Sequence, residues 1–440
     1  MTEAAPLKWR VVRFRDVLAT GVRNGIYKPP EYHGRGAQIV NMGELFAHPR
    51  LRAVPMRRVD VDDSELDRFG LNELDLLFAR RSLVAEGAGK CSIVLEVNEP
   101  TVFESSIIRA RPKSEEADSL FLYYLWASSG GAHLLDTIRR QVAVSGITGR
   151  DLEQLQILIP PLQEQRAIAG VLGALDDKIE QNRQTAQALE RLARAIFRAW
   201  FVDFEPVKAK AAGATAFPSM PQPVFDALPT RFVDSAVGPV PEGWEVKALA
   251  DIATFLNGLA LQKHPPRNDG EDLRVVKIAE LRKGSTDGAD LANSDVPAEY
   301  VVNDRDLLFS WSGTLEAEFW FGGKGALNQH LFKVTSPHFP SWFCLLCIRQ
   351  HLPWFRAIAA SKATTMGHIK RGHLQEARVV VPPAAVIREA DQVVGPLHDL
   401  HAHLMIESRK LAAMRDYLLP KLLSGEVRVR GAERLIGAAA

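Results

Sequence analysis

The chain has few cysteines and no long apolar run, and these two features limit what it can be. Only three of its 440 residues are cysteine, which excludes a disulfide framework and predicts a reducing compartment, the cytoplasm. No stretch of 18 or more apolar residues occurs, and the N-terminus has no apolar signal core, so we expect neither export nor membrane insertion. The formal net charge is only +1, so charge alone indicates no partner.

Sequence signatures of catalysis are also missing. No Gly-x-Gly-x-x-Gly follows a predicted strand, no Pro-Pro pair carries the aromatic residue of an amino-methyltransferase, and no Ser-His-Asp signature is present. The turn Gly87–Lys90 resembles a phosphate loop but has no Ser or Thr after the lysine. Cys344 and Cys347 could form half of a zinc site. The residues 222 positions earlier are Leu122 and Leu125, however, which favours two cysteines packed in a core. We therefore expect a chain without catalytic activity of its own.

The most informative stretch has helical periodicity and covers residues 159–204. Its apolar or small residues alternate at spacings of three and four, the pattern of a coiled-coil seam, and Pro160 and Pro161 suit the first turn of a helix. We predict a first long spacer helix here. Its seam residues are Ile168, Leu172, Leu175, Ile179, Asn182, Ala186, Leu189, Ala193, Ile196 and Trp200.

A second such stretch covers residues 381–427 and begins with Pro382, which follows Pro160 by 222 residues. It predicts a second long spacer helix. Two helices that each carry a seam they cannot bury alone are best explained by pairing with each other, and the alternative is two unrelated amphipathic helices. The second seam contains Leu397, Leu404, Leu411 and Leu418 and is interrupted by His401, Ser408 and Arg415.

The regions that precede the two helices also match each other. Residues 274–281 match residues 38–45, and the apolar strand at residues 305–310 matches residues 74–79. A helix is predicted for Ser119–Arg140, and its first part, residues 119–130, matches residues 341–352 in the same way. The chain is therefore predicted to be α+β with an internal repeat, in which a globule followed by a long helix occurs twice. The predicted segments are a first globular domain 1–158, the first helix 159–204, a linker without regular structure 205–243, a second globular domain 244–380, the second helix 381–427 and a tail 428–440.

Two similar globules with different surfaces are suited to two sites on one extended partner, and double-stranded DNA is the natural candidate because its grooves repeat. Arg, Lys, Asn and Gln supply both phosphate and base contacts. The candidates on predicted loops of the first globule are Asn24, Tyr27, Lys28, Arg80, Arg81, Ser82, Lys90, Arg139, Arg140 and Thr148. Those of the second globule are Lys277, Arg282, Lys283, Ser310, Ser312, Thr314, Asn328, Gln329, His330, Lys362 and Thr364.

Six segments together resemble one family over essentially the whole chain: residues 159–182, 197–206, 238–252, 306–313, 327–334 and 419–427. They are similar to the DNA-specificity (S) subunits of type I restriction–modification systems. The resemblance implies two target recognition domains, related by a pseudo-two-fold repeat and separated by two long antiparallel coiled-coil helices. Each domain would read one part of a split target, and the helices would set the length of the unread gap. The segment 381–390 departs from the pattern because it lacks the Leu-x-Glu-Gln found at residues 162–165.

The resemblance also implies partners. Two methyltransferase (modification) subunits would bring S-adenosylmethionine, and restriction subunits, which are motor-nucleases, would use ATP and magnesium. None of these cofactors, and no metal, is expected to bind this chain directly. Three alternatives stay open at this point: a coiled-coil scaffold that binds only proteins, a self-contained nuclease, and the specificity subunit of a system in which restriction and methyltransferase activities share one chain.

Overall fold

The computed structural model describes residues 9–82, 87–140, 145–361, 367–429, 431–432 and 434. Contacts within the chain separate a first unit, residues 1–177 and 411–440, from a second unit, residues 178–410. Each unit includes part of both long helices, so the units differ from the predicted domains, whose boundaries stay a prediction. Among the described residues, no helix combines the length and the apolar character needed to cross a bilayer.

The first unit is built on two sheets, and the chain passes from one sheet to the other several times. A five-stranded sheet has the order Arg23–Asn24, Ile107–Ala110, Leu76–Ala79, Cys91–Val94 and Arg50–Leu51. A three-stranded sheet has the order Arg57–Val59, His33–Val40 and Thr101–Phe103, and its last two strands are parallel. Two short antiparallel pairs complete the unit, Arg10–Arg13 with Gln156–Ile159 and Arg81–Ser82 with Ser145–Gly146. The strand Leu76–Ala79 is completely buried, as its apolar run predicts.

Short helices cover these sheets, and one predicted helix is divided. The helices are Met42–Ala47, Asp63–Phe69, Ser119–Ala127, Ser129–Ile138 and Gly149–Gln154. The prediction of one continuous helix over residues 119–140 is wrong because Ser128 adopts an extended backbone between two helices. The Ser128 hydroxyl accepts a hydrogen bond from the backbone N–H of Gly131 at 3.1 Å, which caps the second helix.

The second unit repeats this arrangement. Glu245–Ala248 pairs with Arg378–Val381 as Arg10–Arg13 pairs with Gln156–Ile159, and Leu273–Val276 runs parallel to Gly325–Leu327. One four-stranded sheet has the order Thr254–Asn257, Leu331–Thr335, Leu307–Ser310 and Ala317–Phe319. The other has the order Leu291–Ala292, Leu273–Val276, Gly325–Leu327 and Val301–Val302. The helices are Leu249–Ile252, Ile278–Lys283, Ser341–Ser361 and Arg371–Glu376. The predicted internal repeat of an α+β unit is therefore confirmed.

The segment 205–243, predicted as a linker without regular structure, is ordered, so that prediction is wrong. It forms the helices Glu205–Ala211 and Gln222–Asp226 and the paired strands Phe232–Val233 and Val240–Pro241. Val207, Val224 and Phe225 are buried in the core of the second unit. The high proline and alanine content hid these few apolar anchors, which are too widely spaced to produce a periodic signal.

The two long helices are Leu162–Phe197, followed by a π-helical turn at Arg198–Val202, and Ala384–Leu423. They pair in antiparallel orientation in both units. In the first unit, Glu164 is bonded to Arg428 and Asp176 to Arg415. In the second unit, Asn182 Nδ2 donates to Glu407 at 2.7 Å, and Leu189 and Leu397 line one cavity, so the sequence numbers rise on one helix as they fall on the other.

The predicted seam of the first long helix is covered along its length. Ile168, Leu172 and Leu175 are buried, and Ile179, Leu189 and Ile196 are half-buried. On the second long helix, Leu404 and Leu418 are buried, whereas Leu397 and Leu411 are half-buried.

The missing Leu-x-Glu-Gln of the second half has a physical explanation. In the first unit, the buried Gln165 accepts from the backbone N–H of Asp118 at 2.9 Å and donates to the Pro160 carbonyl at 2.9 Å. In the second half, 222 positions later, Ile387 corresponds to Gln165 and Pro340 corresponds to Asp118. Proline has no N–H to satisfy, so a buried glutamine would lose one of its two partners there, and an apolar isoleucine is the better residue.

Cys344 and Cys347 lie buried in the core of the second unit. Burial raises the pKa of the Cys344 thiol to about 12, and it also raises the pKa of Cys347. Both side chains are therefore neutral thiols that pack like apolar residues. The prediction of core cysteines is confirmed.

Two histidines of the second long helix are enclosed within the second unit. The rings of His398 and His401 stack with centroids 6.3 Å apart, and His398 also lies 4.0 Å from the ring of Phe319. Burial, followed by the charge of a protonated His401, lowers the pKa of His398 to about 4, and burial lowers the pKa of His401. Glu190, Glu318 and Arg349 line the same cavity, and Asp399 lies beside His398.

This arrangement predicts a loss of stability in mild acid. Because the folded-state pKa of His398 lies below its ordinary value, the unfolded chain takes up the proton first, so stability falls as pH falls from about 6.5 toward 4. We expect the free energy of unfolding to decrease by about 2 kcal/mol between pH 7 and pH 5 through this residue. Urea unfolding of the unmodified chain and of His398→Phe at both pH values tests this. An equal decrease in both proteins would contradict it.

Candidate nucleic-acid interface

Four loops meet in each unit, and the eight loops together contain ten of the 21 candidate DNA contacts. The first loop cluster comprises residues 24–27, 80–82, 104–106 and 146–148. The second loop cluster comprises residues 257–260, 311–313, 328–330 and 368–370. The same backbone hydrogen bonds hold both clusters together, so they are repeats of one scaffold.

Two glycines show how closely the loops of each cluster approach one another. Gly25 donates its N–H to Ile107 at 3.0 Å, and Gly258 donates to Leu331 at 3.0 Å. A Cβ atom at Gly25 would lie 2.1 Å from the carbonyl oxygen of Glu104, and one at Gly258 would lie 2.3 Å from that of Asn328. Only glycine permits this approach, which places the Asn-Gly turn beside the loop that carries the next candidates.

Equivalent positions make equivalent contacts with different side chains. In the first loop cluster, Arg80 Nη1 donates to the Ser105 carbonyl at 3.2 Å, and Ile147 N–H donates to the Arg80 carbonyl at 3.0 Å. In the second, Trp311 Nε1 donates to the Gln329 carbonyl at 3.1 Å, and Ile369 N–H donates to the Trp311 carbonyl at 2.9 Å. A guanidinium in one unit thus has the place of an indole in the other.

The first loop cluster is cationic and exposes an aromatic ring. Asn24 and Arg81 are exposed, and Tyr27 is 76% exposed, which is unusual for a ring of this size. Arg140 lies alongside, because its backbone pairs with Gly146, and its guanidinium is bonded to Asp151 at 2.8 Å. Thr148 caps the helix Gly149–Gln154. Ser82 pairs with Ser145 next to Arg81.

The second loop cluster is rich in amides and imidazoles, and its one charged residue is the exposed Lys370. Ser312 Oγ lies 3.0 Å from His330 Nδ1, and the side chain of Gln329 lies 3.4 Å from His330 Nε2. Ser312 and Asn328 are almost completely buried. Thr314 is exposed on the loop that follows Ser312.

Ser310 is inaccessible. Its hydroxyl donates to the Thr314 carbonyl at 2.6 Å and accepts from the Glu316 N–H at 2.7 Å, and the residue has no exposed surface. Because both hydrogen bonds shape the loop itself, we remove Ser310 from the candidate contacts.

Other candidates lie outside the two clusters, and several of them are bonded to other groups of the protein. Lys28 is bonded to Glu65 at 2.6 Å, and this hydrogen bond raises the pKa of Lys28. Lys90 and Arg139 line a separate cavity of about 410 Å³ in the first unit. Lys277 is bonded to Asp290, Arg282 lies 3.6 Å from Glu316, and Lys283 donates to the Asp287 carbonyl. Lys362 and Thr364 lie outside the described residues.

Three residues of the second loop cluster were missed by the sequence reasoning. Trp311 Nε1 also donates to Asn257 Oδ1 at 2.9 Å, and the rings of Trp311 and His368 meet edge to face. Asn257 could have been found, because Asn257-Gly258 repeats Asn24-Gly25. Trp311 and His368 could have been found only by aligning each loop of the repeat, since neither resembles the residue it replaces.

Comparison with known proteins identifies one family in both halves of the chain. The model of the type I restriction modification DNA specificity domain matches residues 61–191 and 241–402, which together exceed half of the chain. The two matches include seven of the eight loops that form the two clusters. The eighth loop, residues 24–27, precedes the first match.

Individual relatives agree with the family match. The chain is 27% identical over 322 residues to the type I restriction enzyme MjaIX specificity subunit of Methanocaldococcus jannaschii, covering 71% of this chain and 69% of the relative. It is 25% identical over 325 residues to the HindI specificity subunit of Haemophilus influenzae, covering 64% and 71%. The crystal structure of a type I restriction–modification S subunit from M. genitalium has the same fold, with a TM-score of 0.59 and 12% identity over 96% of this chain and 98% of that one.

Proposed function

Because the chain belongs to the type I restriction modification DNA specificity family, we propose that each loop cluster reads one half of a split DNA target. The first loop cluster reads one half-site and the second loop cluster reads the other. The two long helices set the number of unread base pairs between the two half-sites. In this function the chain supplies recognition, and the chemistry belongs to other subunits.

The observation that carries this proposal is the repetition of one scaffold with unlike side chains. If the clusters served only to stabilise the fold, equivalent positions would be expected to keep similar residues, as the buried strands Leu76–Ala79 and Leu307–Ser310 do. Instead, the first loop cluster contains arginines, and the second contains tryptophan, histidine and glutamine. Different donors and acceptors on one backbone are what two unlike half-sites require.

The partners follow from the family. We propose that two methyltransferase subunits dock on this chain and bring S-adenosylmethionine, and that restriction subunits join them and use ATP and magnesium. We propose the cytoplasm as the location, where chromosomal DNA is accessible. The candidate contacts outside the clusters then add phosphate binding, which depends on salt and not on base sequence.

A transplant of one half tests the proposal. Replacing residues 20–150 with those of a family member of different specificity should change one half-site and leave the other half-site and the gap unchanged, because the second loop cluster is untouched. The readout is the set of methylated positions in the genome of a host that carries the chimaera with its partner subunits. The matched control replaces residues 250–372 and should change the other half-site only. A change in both half-sites from either replacement would contradict the proposal.

A further inference from the structure

The side chains around His330 form a hydrogen-bond chain that fixes one amide. Gln329 Nε2 lies 3.4 Å from His330 Nε2, and His330 Nδ1 lies 3.0 Å from Ser312 Oγ. An amide NH2 group can only donate, so His330 Nε2 accepts from Gln329. The other ring nitrogen, Nδ1, then carries the proton and donates to the Ser312 hydroxyl oxygen.

These hydrogen bonds leave Gln329 with one free donor and one free acceptor. One N–H of its amide is used on His330, and the second N–H and the carbonyl oxygen Oε1 remain side by side. Among the described residues of the second loop cluster, Oε1 of Gln329 accepts no hydrogen bond from the protein. A neighbouring donor and acceptor on one amide match the N7 acceptor and N6 donor of adenine in the major groove.

The other two amides of the cluster are engaged. Asn257 Oδ1 accepts from Trp311 Nε1 at 2.9 Å, and its NH2 group donates to the Gly258 carbonyl. Asn328 is 4% exposed, and its Oδ1 accepts from the His330 backbone N–H at 3.2 Å. Neither could bind an adenine edge through both groups without breaking a contact that shapes the cluster. Gln329 is half-buried, so part of the residue is exposed.

We propose that Gln329 reads an adenine in the half-site bound by the second loop cluster, with His330 and Ser312 as positioning residues. This inference rests on the proposed function. The equivalent position in the first unit is Ser105, which has no amide, and Arg80 holds its carbonyl. The adenine contact therefore belongs to one half-site only.

Selection from a randomised duplex library by the full-length chain, assembled with its modification subunits, tests the inference. The unmodified protein should enrich a split sequence with adenine at one position that Gln329→Ala no longer selects, and preference there should fall by about 5- to 150-fold. Gln329→Glu, which has nearly the same shape but no donor, should lose adenine at that same position and favour cytosine, whose N4 donates. His330→Phe should weaken the same preference because the ring no longer accepts from the amide, while the other positions stay unchanged.

Controls separate failure of this inference from failure of the proposed function. Ser105→Ala, at the equivalent position of the first unit, should change nothing in the second half-site. If Gln329→Ala fails to fold, Gln329→Met keeps the length of the side chain and should give the same loss. A library in which the unmodified assembly enriches no sequence would overturn the proposed function. Enrichment of a split sequence that no substitution at Gln329 alters, or that alters in both half-sites, would overturn the role of Gln329 alone.

Discussion

Inserting seven residues into each long helix, after Glu180 and after Lys410, is expected to lengthen the unread gap of the DNA target by about 3 base pairs. Seven residues extend a helix by about 10.5 Å at 1.5 Å per residue, and about 3.4 Å separates successive base pairs. A seven-residue insertion also preserves the 3.5-residue period of the seam. Both insertion points lie between the Asp176–Arg415 pair of the first unit and the Asn182–Glu407 pair of the second, so these two pairs are kept.

The expected loss on the original target is large. With the wrong gap, only one half-site can be bound at a time, and affinity should fall toward the non-specific level, a decrease of about 1,000-fold or more. Binding of the assembled complex to duplexes whose gaps vary by single base pairs measures the new optimum. Insertion into the first long helix alone, of seven residues or of four (about 6 Å), is the control. It should reduce stability instead of moving the optimum, because one set of interhelical pairs loses register. An unchanged optimum after the paired insertion would remove the spacing role.

Much of the fold could be predicted because its strongest signals are local and occur twice. The Pro-Pro starts at Pro160 and Pro382 and the apolar strands near Leu76 and Leu307 are legible from a few neighbouring residues. The seam residues also follow from spacing alone. Finding each signal a second time at a near-constant offset turned weak local evidence into a prediction of architecture.

The candidate site was less predictable because its chemistry depends on contacts distant in sequence. Ser310 has a polar side chain that we placed on a predicted loop, but it ends the buried strand Leu307–Ser310, and its partners are backbone groups four and six residues further on. Trp311 was not among the candidates, although its indole N–H donates to Asn257, 54 residues earlier, and to the Gln329 carbonyl, 18 residues later. The helices in the segment 205–243 were missed for a related reason. They are stabilised by the burial of Val207 and Phe225 in the core, and their sequence has no helical periodicity.

Removing the charge of Arg415 is expected to destabilise the first unit by about 3 kcal/mol. Asp176 is 8% exposed and accepts from Arg415 Nη1 at 2.7 Å and from the Tyr124 hydroxyl at 2.7 Å. Burial lowers the pKa of Arg415, but the hydrogen bond to Asp176 outweighs it and the pKa is raised, so the guanidinium is charged at every accessible pH. Burial and the negative charge of Asp176 raise the pKa of Tyr124, which keeps the phenol protonated as a donor. Arg415→Met would leave the Asp176 carboxylate buried beside one neutral donor.

Removing all three side chains of the network, Arg415, Asp176 and Tyr124, tests whether the unpaired buried charge causes the loss of stability. The triple substitution Arg415→Met, Asp176→Leu and Tyr124→Phe leaves no buried charge and no unpaired hydroxyl, so it should cost much less than Arg415→Met alone, although it removes more hydrogen bonds. Arg183→Met is the matched control, since Arg183 pairs with Glu180 on an exposed face of the first long helix and should change stability by less than about 0.5 kcal/mol. Urea unfolding followed by circular dichroism measures all three. If Arg415→Met cost as little as Arg183→Met, water would have to reach Asp176. Arg415 would then contribute to helix register, and its loss would not leave an unpaired buried charge.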